Sequence, residues 1–357
     1  MHRQQRYESK KIFRQIVFSV AISMGTMAAI FAYFAFRQPM GPFFSFRILP
    51  LLVGFLFLTA AWVFDATRIY FTTRWWGRPI LYRNALSSVL SAYFMSAITP
   101  FMVGGGPAQM YVLIRSGLSW GEAGSLVAVC GILYQVSLLL LIFIFIFVFH
   151  IGLALQGILL KLLYSFAVFY SVIMFLLFFF LYRPRVLYQL TDWGIAFVKK
   201  HFRKARFSEI AVREGVEDFF GDFRRGFGIL FRKKPQYLGL NILCYCLRYL
   251  CIFLVAYWVL VSVGVSISAV KVVATQIPLN YIYTVMPTPG SSGGAEASMA
   301  SVFFPFTGPE RIGLFVLLWR VITYYFPLIA GGYDFFRRVL RMKVAVPTPN
   351  REPSRET

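Results

Sequence analysis

The segment Thr99-Pro100-Phe101-Met102-Val103-Gly104-Gly105 recurs as Thr288-Pro289-Gly290-Ser291-Ser292-Gly293-Gly294, and this recurrence decides how the chain is read. Each copy interrupts an apolar stretch, residues 85–118 and 268–306. In each, the proline stops an incoming helix, and the glycines permit positive φ and close backbone approach. An outgoing helix then begins at about Pro107 or Ala295. Pro107 suits a first helical position, where its missing N–H is not needed. A carboxylate follows at a matching distance, Glu122 lying 23 residues after Thr99 and Glu310 lying 22 after Thr288.

Outward from these two turns, apolar runs of spanning length fall at about residues 12–36, 48–67, 121–149, 158–182, 237–263 and 311–332. The composition agrees, since the 357 residues are 59% hydrophobic and only 14% charged, against about 25% charged in ordinary soluble domains. A soluble globular protein is excluded. The expected fold is an all-α polytopic membrane protein with about six full spans and two re-entrant helical hairpins in an inverted repeat. Broken backbone at membrane depth is tolerated only where protein buries it or where it lines a wet cavity.

A net charge of +22 first suggests nucleic acid, but its distribution points to topology. Of 36 Lys and Arg, 29 lie before the first span, around the first hairpin, within 183–234 or after Tyr333. Arg37, Arg47, Lys161, Lys271 and Arg311 fall on the other side, and Arg248 and Arg320 lie within spans. The basic side is cytoplasmic by the positive-inside rule. Both termini are therefore expected in the cytoplasm, at the plasma (inner) membrane, with anionic lipids and not nucleic acid as partners. On this layout the first hairpin enters from the cytoplasm and the second from outside. Inverted halves with broken half-helices at corresponding positions mark alternating-access transporters whose site is near the midplane.

The expected organisation is a membrane half over residues 1–182, a cytoplasmic linker over 183–236, a second membrane half over 237–336 and a basic tail over 337–357. The first span is read as retained and not as a signal peptide. In the linker, Phe220, Phe223, Phe227 and Leu230 recur at helical spacing among Arg224, Arg225 and Arg232, the pattern of an amphipathic helix on the membrane surface.

Helix starts expose unpaired N–H groups at the positive end of the helix dipole and so attract anions. Thr99, Pro100, Gly104, Gly105 and Gly106, with Thr288, Pro289, Gly293 and Gly294, are the expected cradle for a phosphate or carboxylate. A charge at the bilayer centre costs at least about 2.5 kcal/mol, so each intramembrane ionisable group needs a partner or a wet cavity. Arg320, with Tyr324 one turn on, is the expected anion ligand. Arg248 has two readings, a structural pair or a coupling residue. Glu296 is either a dipole-complementing cap or a gating carboxylate. Asp65 and Arg68, at i and i+3, suit a mutual pair, while Glu122, Glu310 and Asp334 are placed near span ends. Cys130, Cys244, Cys246 and Cys251 read as buried small hydrophobes without zinc or disulfide spacing. No phosphate-binding GxxxxGK[ST] and no Ser/His/Asp grouping is present, so neither metal, cofactor nor enzymatic activity is expected.

The stretch from Arg68 to Ala123, with Thr99-Pro100, Gly104-Gly105-Gly106 and then Tyr111-Val-Leu-Ile-Arg115-Ser-Gly117-Leu-Ser-Trp-Gly-Glu122-Ala, resembles the flippase-like family named for the transmembrane region of lysylphosphatidylglycerol synthase. Pro287-Thr288-Pro289-Gly290-Ser-Ser-Gly293-Gly294-Ala-Glu296-Ala, followed by Trp319-Arg320 and Tyr324-Tyr325, is similar to its second signature. The resemblance implies a multi-span helical fold that moves lipids with modified or anionic headgroups between leaflets. The chain departs from the family at Cys130-Gly131-Ile132, where an acid-base pair is usual. No aminoacyl-transferase domain follows the last span, so synthesis of lysyl-lipid is not expected. The resulting reading is a translocator of a phospholipid or lipid-linked intermediate. The alternatives are a non-transporting accessory that binds a lipid-modifying enzyme through the linker, and an intramembrane lipid-modifying enzyme.

Overall fold

Long apolar segments bounded by turn residues become helices because every backbone polar group must be satisfied internally in an apolar medium. The computed structural model describes residues 46–148, 209–228 and 236–339, with scattered positions in 17–32 and 168–193, and it has no strand among them. In chain order the helices are α1 (Ile48–Trp75), α2 (Tyr82–Ile98), α3 (Gly105–Arg115), α4 (Trp120–Phe147), α5 (Glu209–Gly228), α6 (Gln236–Ser262), α7 (Ala269–Val285) and α8 (Gly294–Arg320). A π-helical turn, Val321–Tyr325, then leads into α9 (Phe326–Asp334). The protein is an all-α polytopic membrane protein. Four helical segments are long and apolar enough to span: α1, Trp120–Phe145, α6 and the run Pro289–Arg337. Of the six expected spans, nearly all of 158–182 and much of 12–36 lie outside the described residues, as do the tail after Val339 and about half of the linker.

Local signals set the boundaries. At the start of α4, the Ser119 Oγ accepts from the Glu122 N–H (3.1 Å) while the Ser119 N–H donates to Glu122 Oε2 (2.9 Å), a reciprocal capping box. The other Glu122 oxygen takes the Arg78 Nε–H at 2.8 Å, which accounts for the expected position at a span end. Glu310 is exposed. Asp334 is a correction: it is 8% exposed and accepts from the Ser87 hydroxyl on α2. The apolar run starting at Ile48 extends as helix to Trp75, and Gly77, at φ +77°, ends it.

α1 packs along α6, bringing Leu58, Trp62, Ala66 and Ile69 into one core with Val255, Ala256, Val259 and Leu260. Full burial of such side chains contributes about 1.5–3 kcal/mol each where water is the alternative. In lipid the gain comes from close packing instead, which favours small residues. Gly54 illustrates this, since a Cβ there would lie 3.2 Å from the Ile322 side chain.

The two repeated segments fold into the same turn. Thr99 and Thr288 are extended, the following prolines begin a 3-10 turn, and the next two residues adopt left-handed conformations in both: Phe101 and Met102 at φ 53° and 56°, Gly290 and Ser291 at φ 57° and 56°. Such a conformation costs a non-glycine residue about 1–2 kcal/mol, so three of these four positions are strained. The turns pack against each other, and Gly290 makes the approach possible: a Cβ there would clash with the Tyr324 ring and stand 2.9 Å from the Ala97 carbonyl oxygen. The first helical pair is α2–α3. The second is α7 with the early part of α8, which bends at Gly308 (φ 68°, ψ 176°) between Pro305 and Pro309.

The linker helix is docked on protein. Phe223 is buried, and Phe219 lies against Gly121 and Gly124 of α4, where a Cβ on Gly124 would stand 2.6 Å from the Phe219 ring. The Ser119 hydroxyl donates to Asp222. The expected amphipathic helix therefore exists, with Phe219, Phe220 and Phe223 on the packed side. Leu230 and Arg232 lie outside the described residues.

Candidate functional site

A cavity of about 400 Å³ opens among α1, α2, α3, α4, α6 and α7. Asp65 on α1 is its electrostatic centre. One carboxylate oxygen takes Arg68 Nη2 at 3.0 Å, and the other takes Arg248 Nε at 2.9 Å from the middle of α6. The two guanidinium groups thus share one carboxylate. Arg68 is 3% exposed, and its Nε has no hydrogen-bond partner among the described residues.

Tyrosines hold both cations. Arg248 Nη2 donates to the Tyr93 hydroxyl at 2.9 Å, and its guanidinium carbon lies 5.3–5.7 Å from the ring centres of Tyr93, Tyr134 and Tyr249. Arg68 lies 4.3 Å over Tyr245, whose hydroxyl donates to the Cys130 carbonyl oxygen at 2.9 Å. Cation–π contacts of this kind strengthen when desolvated, to about 2 kcal/mol or more. Cys130 Sγ accepts from Arg68 Nη1, and Gly131 beside it is exposed with nothing in reach of a Cβ. The position at which the sequence departs from the family signature is thus a wall of this cavity.

A second buried ion pair lies apart from the cavity lining. Arg320 Nη2 donates to Glu296 Oε2 at 2.7 Å, with Glu296 fully buried and the Arg320 side chain 5% exposed. The same carboxylate caps α8, taking the Gly293 N–H at 2.7 Å, and accepts from the Ser23 hydroxyl at 2.8 Å. Ser23 in turn accepts from Tyr325 at 3.0 Å. Arg320 also faces the Trp319 and Tyr324 rings, each at 5.1 Å. The capping reading of Glu296 matches this geometry, and the helix start expected to hold a ligand anion is filled by the protein's own carboxylate.

Of the residues expected to bind substrate or couple transport, Gly106 and Arg248 line the cavity. Thr99 and Gly104 bond each other, Thr99 Oγ1 accepting the Gly104 N–H at 2.9 Å. A Cβ on Gly105 would meet the Ser96 hydroxyl, and one on Gly294 would meet the Met286 side chain. Thr288 donates to the Ser292 carbonyl oxygen at 2.6 Å, Pro289 is buried in the turn contact, and Tyr324 donates to the Ala97 carbonyl oxygen at 3.3 Å. These residues build the paired turns. Arg68 also leaves the tally of basic residues that mark the membrane face, because it is buried beside the cavity. The Asp65–Arg68 pair expected from the i, i+3 spacing forms on the cavity wall, and the lining residues that sequence reasoning passed over include Tyr93, Tyr134, Tyr245, Gln109 and Asn280. One signal was available: Asp65 is the acid in the first membrane half best placed to neutralise Arg248.

The family described as lysylphosphatidylglycerol synthase TM region matches residues 16–331, which include both turns, the cavity and the Glu296–Arg320 pair. The chain belongs to this family. It is also similar to a UPF0104 membrane protein of Archaeoglobus fulgidus, 23% identical over 332 residues, covering 91% of this chain and 97% of the relative. A membrane-embedded protein of this family is consistent with the four apolar spans. Among the described residues no group of His, Cys, Asp or Glu could hold a metal ion, and all four cysteines are free.

Proposed function

We propose that this family member translocates a lipid with an anionic headgroup between leaflets, binding the headgroup at Arg68 and Arg248. The observation that carries the reading is two guanidinium groups sharing the single carboxylate of Asp65 on the wall of a cavity inside an apolar helical bundle. Uncompensated positive charge is costly there, and a bound phosphate relieves it through charge-assisted, bidentate hydrogen bonds. The paired turns support a transporter reading. Two helical pairs broken at the same motif and packed at their tips suit re-entrant elements of an inverted repeat, with both termini cytoplasmic in the plasma membrane. On this reading the protein is a transporter and not an enzyme, and its partners are lipids.

Liposomes containing the purified full chain and a trace of acyl-labelled phosphatidylglycerol test this. Outer-leaflet quenching should reach the inner-leaflet pool at least tenfold faster than in protein-free liposomes, and Arg248→Gln should abolish most of that gain. Equal rates with and without protein for every anionic lipid would overturn the proposal.

A further inference from the structure

The charged side chains on the cavity wall, Asp65, Arg68 and Arg248, sum to a single positive charge. A phosphodiester carries one negative charge at neutral pH and cancels it. A phosphomonoester, with a second ionisation near neutrality that brings it to about −1.5 to −2, would leave the cavity negative. A cationic headgroup would deepen the existing excess. It would also find most of the aromatic lining taken, since Arg248 lies against Tyr93 and Tyr134 and Arg68 over Tyr245, which leaves Tyr283 alone among the described lining tyrosines without a cation over its ring.

The uncharged polar lining narrows the class further. Gln109 on α3 and Asn280 on α7, one from each helical pair, bring half-buried amides to the wall. No side-chain hydrogen bond engages the Gln109 amide or the Asn280 amide among the described residues. An amide offers both donors and an acceptor, the complement of a hydroxyl. Ser96 and Thr284 also line the cavity and give their own protons to the carbonyls of Met102 (3.3 Å) and Asn280 (3.1 Å), so toward a ligand they act as acceptors. We infer that the cavity selects a lipid phosphodiester whose headgroup is uncharged and bears hydroxyls, a phosphoglycerol or a phosphosugar. The inference deepens the proposed function, but it concerns binding and can be read without transport.

The full chain in detergent, carrying fluorescent phosphatidylglycerol, is titrated with phosphatidylglycerol, phosphatidylinositol, phosphatidylethanol, phosphatidic acid and the lysyl ester of phosphatidylglycerol. One of the first two should displace the probe at a concentration about tenfold or more below phosphatidylethanol, which has the same charge and no hydroxyl, because an amide left unpaired costs about 1–3 kcal/mol. Which of the two is stronger assigns glycerol or sugar. Phosphatidic acid and the lysyl ester should be weaker still. In a folded Gln109→Leu/Asn280→Leu variant the preference over phosphatidylethanol should fall to about one. Equal competition by phosphatidylethanol, best competition by the lysyl ester, or an unchanged preference in the double variant would each overturn the inference. Selective binding without movement in liposomes would sink the translocator reading and leave this one standing; movement without selective binding would do the reverse.

Discussion

Replacing Asp65 with asparagine keeps the volume of the side chain and removes the charge that two guanidinium groups share. Each arginine contacts a different carboxylate oxygen, at 3.0 and 2.9 Å, so the two cations lie on the order of 6 Å apart. At an effective dielectric constant near 20 their repulsion is about 3 kcal/mol. Breaking a buried pair by removing one partner typically costs about 3–5 kcal/mol, and the 13% exposure of Asp65 and Arg248 places this site toward the lower half of that range. A loss of about 3–4 kcal/mol should lower the melting temperature in detergent by roughly 5–10 °C, since each kcal/mol moves a domain of 150–250 residues by about 2–4 °C and a longer chain by less. Scanning fluorimetry of the purified full chain measures it. The diagnostic variant is Asp65→Asn with Arg248→Gln, which returns the cavity to one positive charge. It should recover at least half of the loss, because the repulsion is gone even though the ion pair is too. An Asp65→Asn protein that melts within 1 °C of the native chain refutes the reasoning, as does a double variant that melts below the single one.

Three further outcomes follow from the packing. Gly290→Ala puts a side chain at φ 57° against the Tyr324 ring and the Ala97 carbonyl oxygen, so it should cost about 2–3 kcal/mol; Gly77→Ala, at φ 77° with nothing in reach of a Cβ, should cost only the backbone term of about 1 kcal/mol, and their melting temperatures should separate accordingly. Arg320→Met and Glu296→Gln should each destabilise by about 3–5 kcal/mol, while their combination should fall well short of the sum, which a double-mutant cycle reads directly. Gly124→Val should drive α5 off α4 by displacing the Phe219 ring, seen as faster hydrogen exchange over residues 209–228 with the core helices unchanged; exchange rates indistinguishable from the native chain would show that the glycine contact does not hold α5.

Much of the helical framework was legible because apolar length and turn chemistry are local properties. Ser119 and Glu122 three residues on define the start of α4 without any knowledge of the fold. The TPxxxGG repeat announces two broken helices, and both prove to share a left-handed pair of residues. What the repeat could not reveal is which way each turn faces. Positive φ at Phe101 is the same backbone event as at Gly290, but only Gly290 lies under Tyr324. The missing Cβ at that position serves helix packing and not ligand approach, a distinction that depends on a residue 34 positions away.

The site was less legible for a related reason. Depth in a span identifies a charge that needs a partner, and both Arg248 and Arg320 satisfy that criterion. Their difference lies in how completely the partner answers. Glu296 gives Arg320 a carboxylate of its own, buried within hydrogen-bond reach of Ser23 and the Gly293 N–H, so the pair is neutral and enclosed. Asp65 must answer Arg248 and Arg68 together, and one carboxylate cannot neutralise two guanidinium groups. Arg68 pairs with Asp65 as their i, i+3 spacing implies, but only Ile69, Tyr70 and Phe71 separate it from Thr72-Thr73-Arg74, so the sequence alone also places it at the start of a basic membrane flank and not beside a cavity. The surplus of one cation over one anion, carried by α1 and α6 and held open to a cavity by tyrosine rings from α2, α4 and α6, is therefore a property of four helices converging. On the proposed function it is also the property that would give an anionic headgroup a reason to leave the membrane surface, since inside a low-dielectric cavity a charge is stable only beside its opposite.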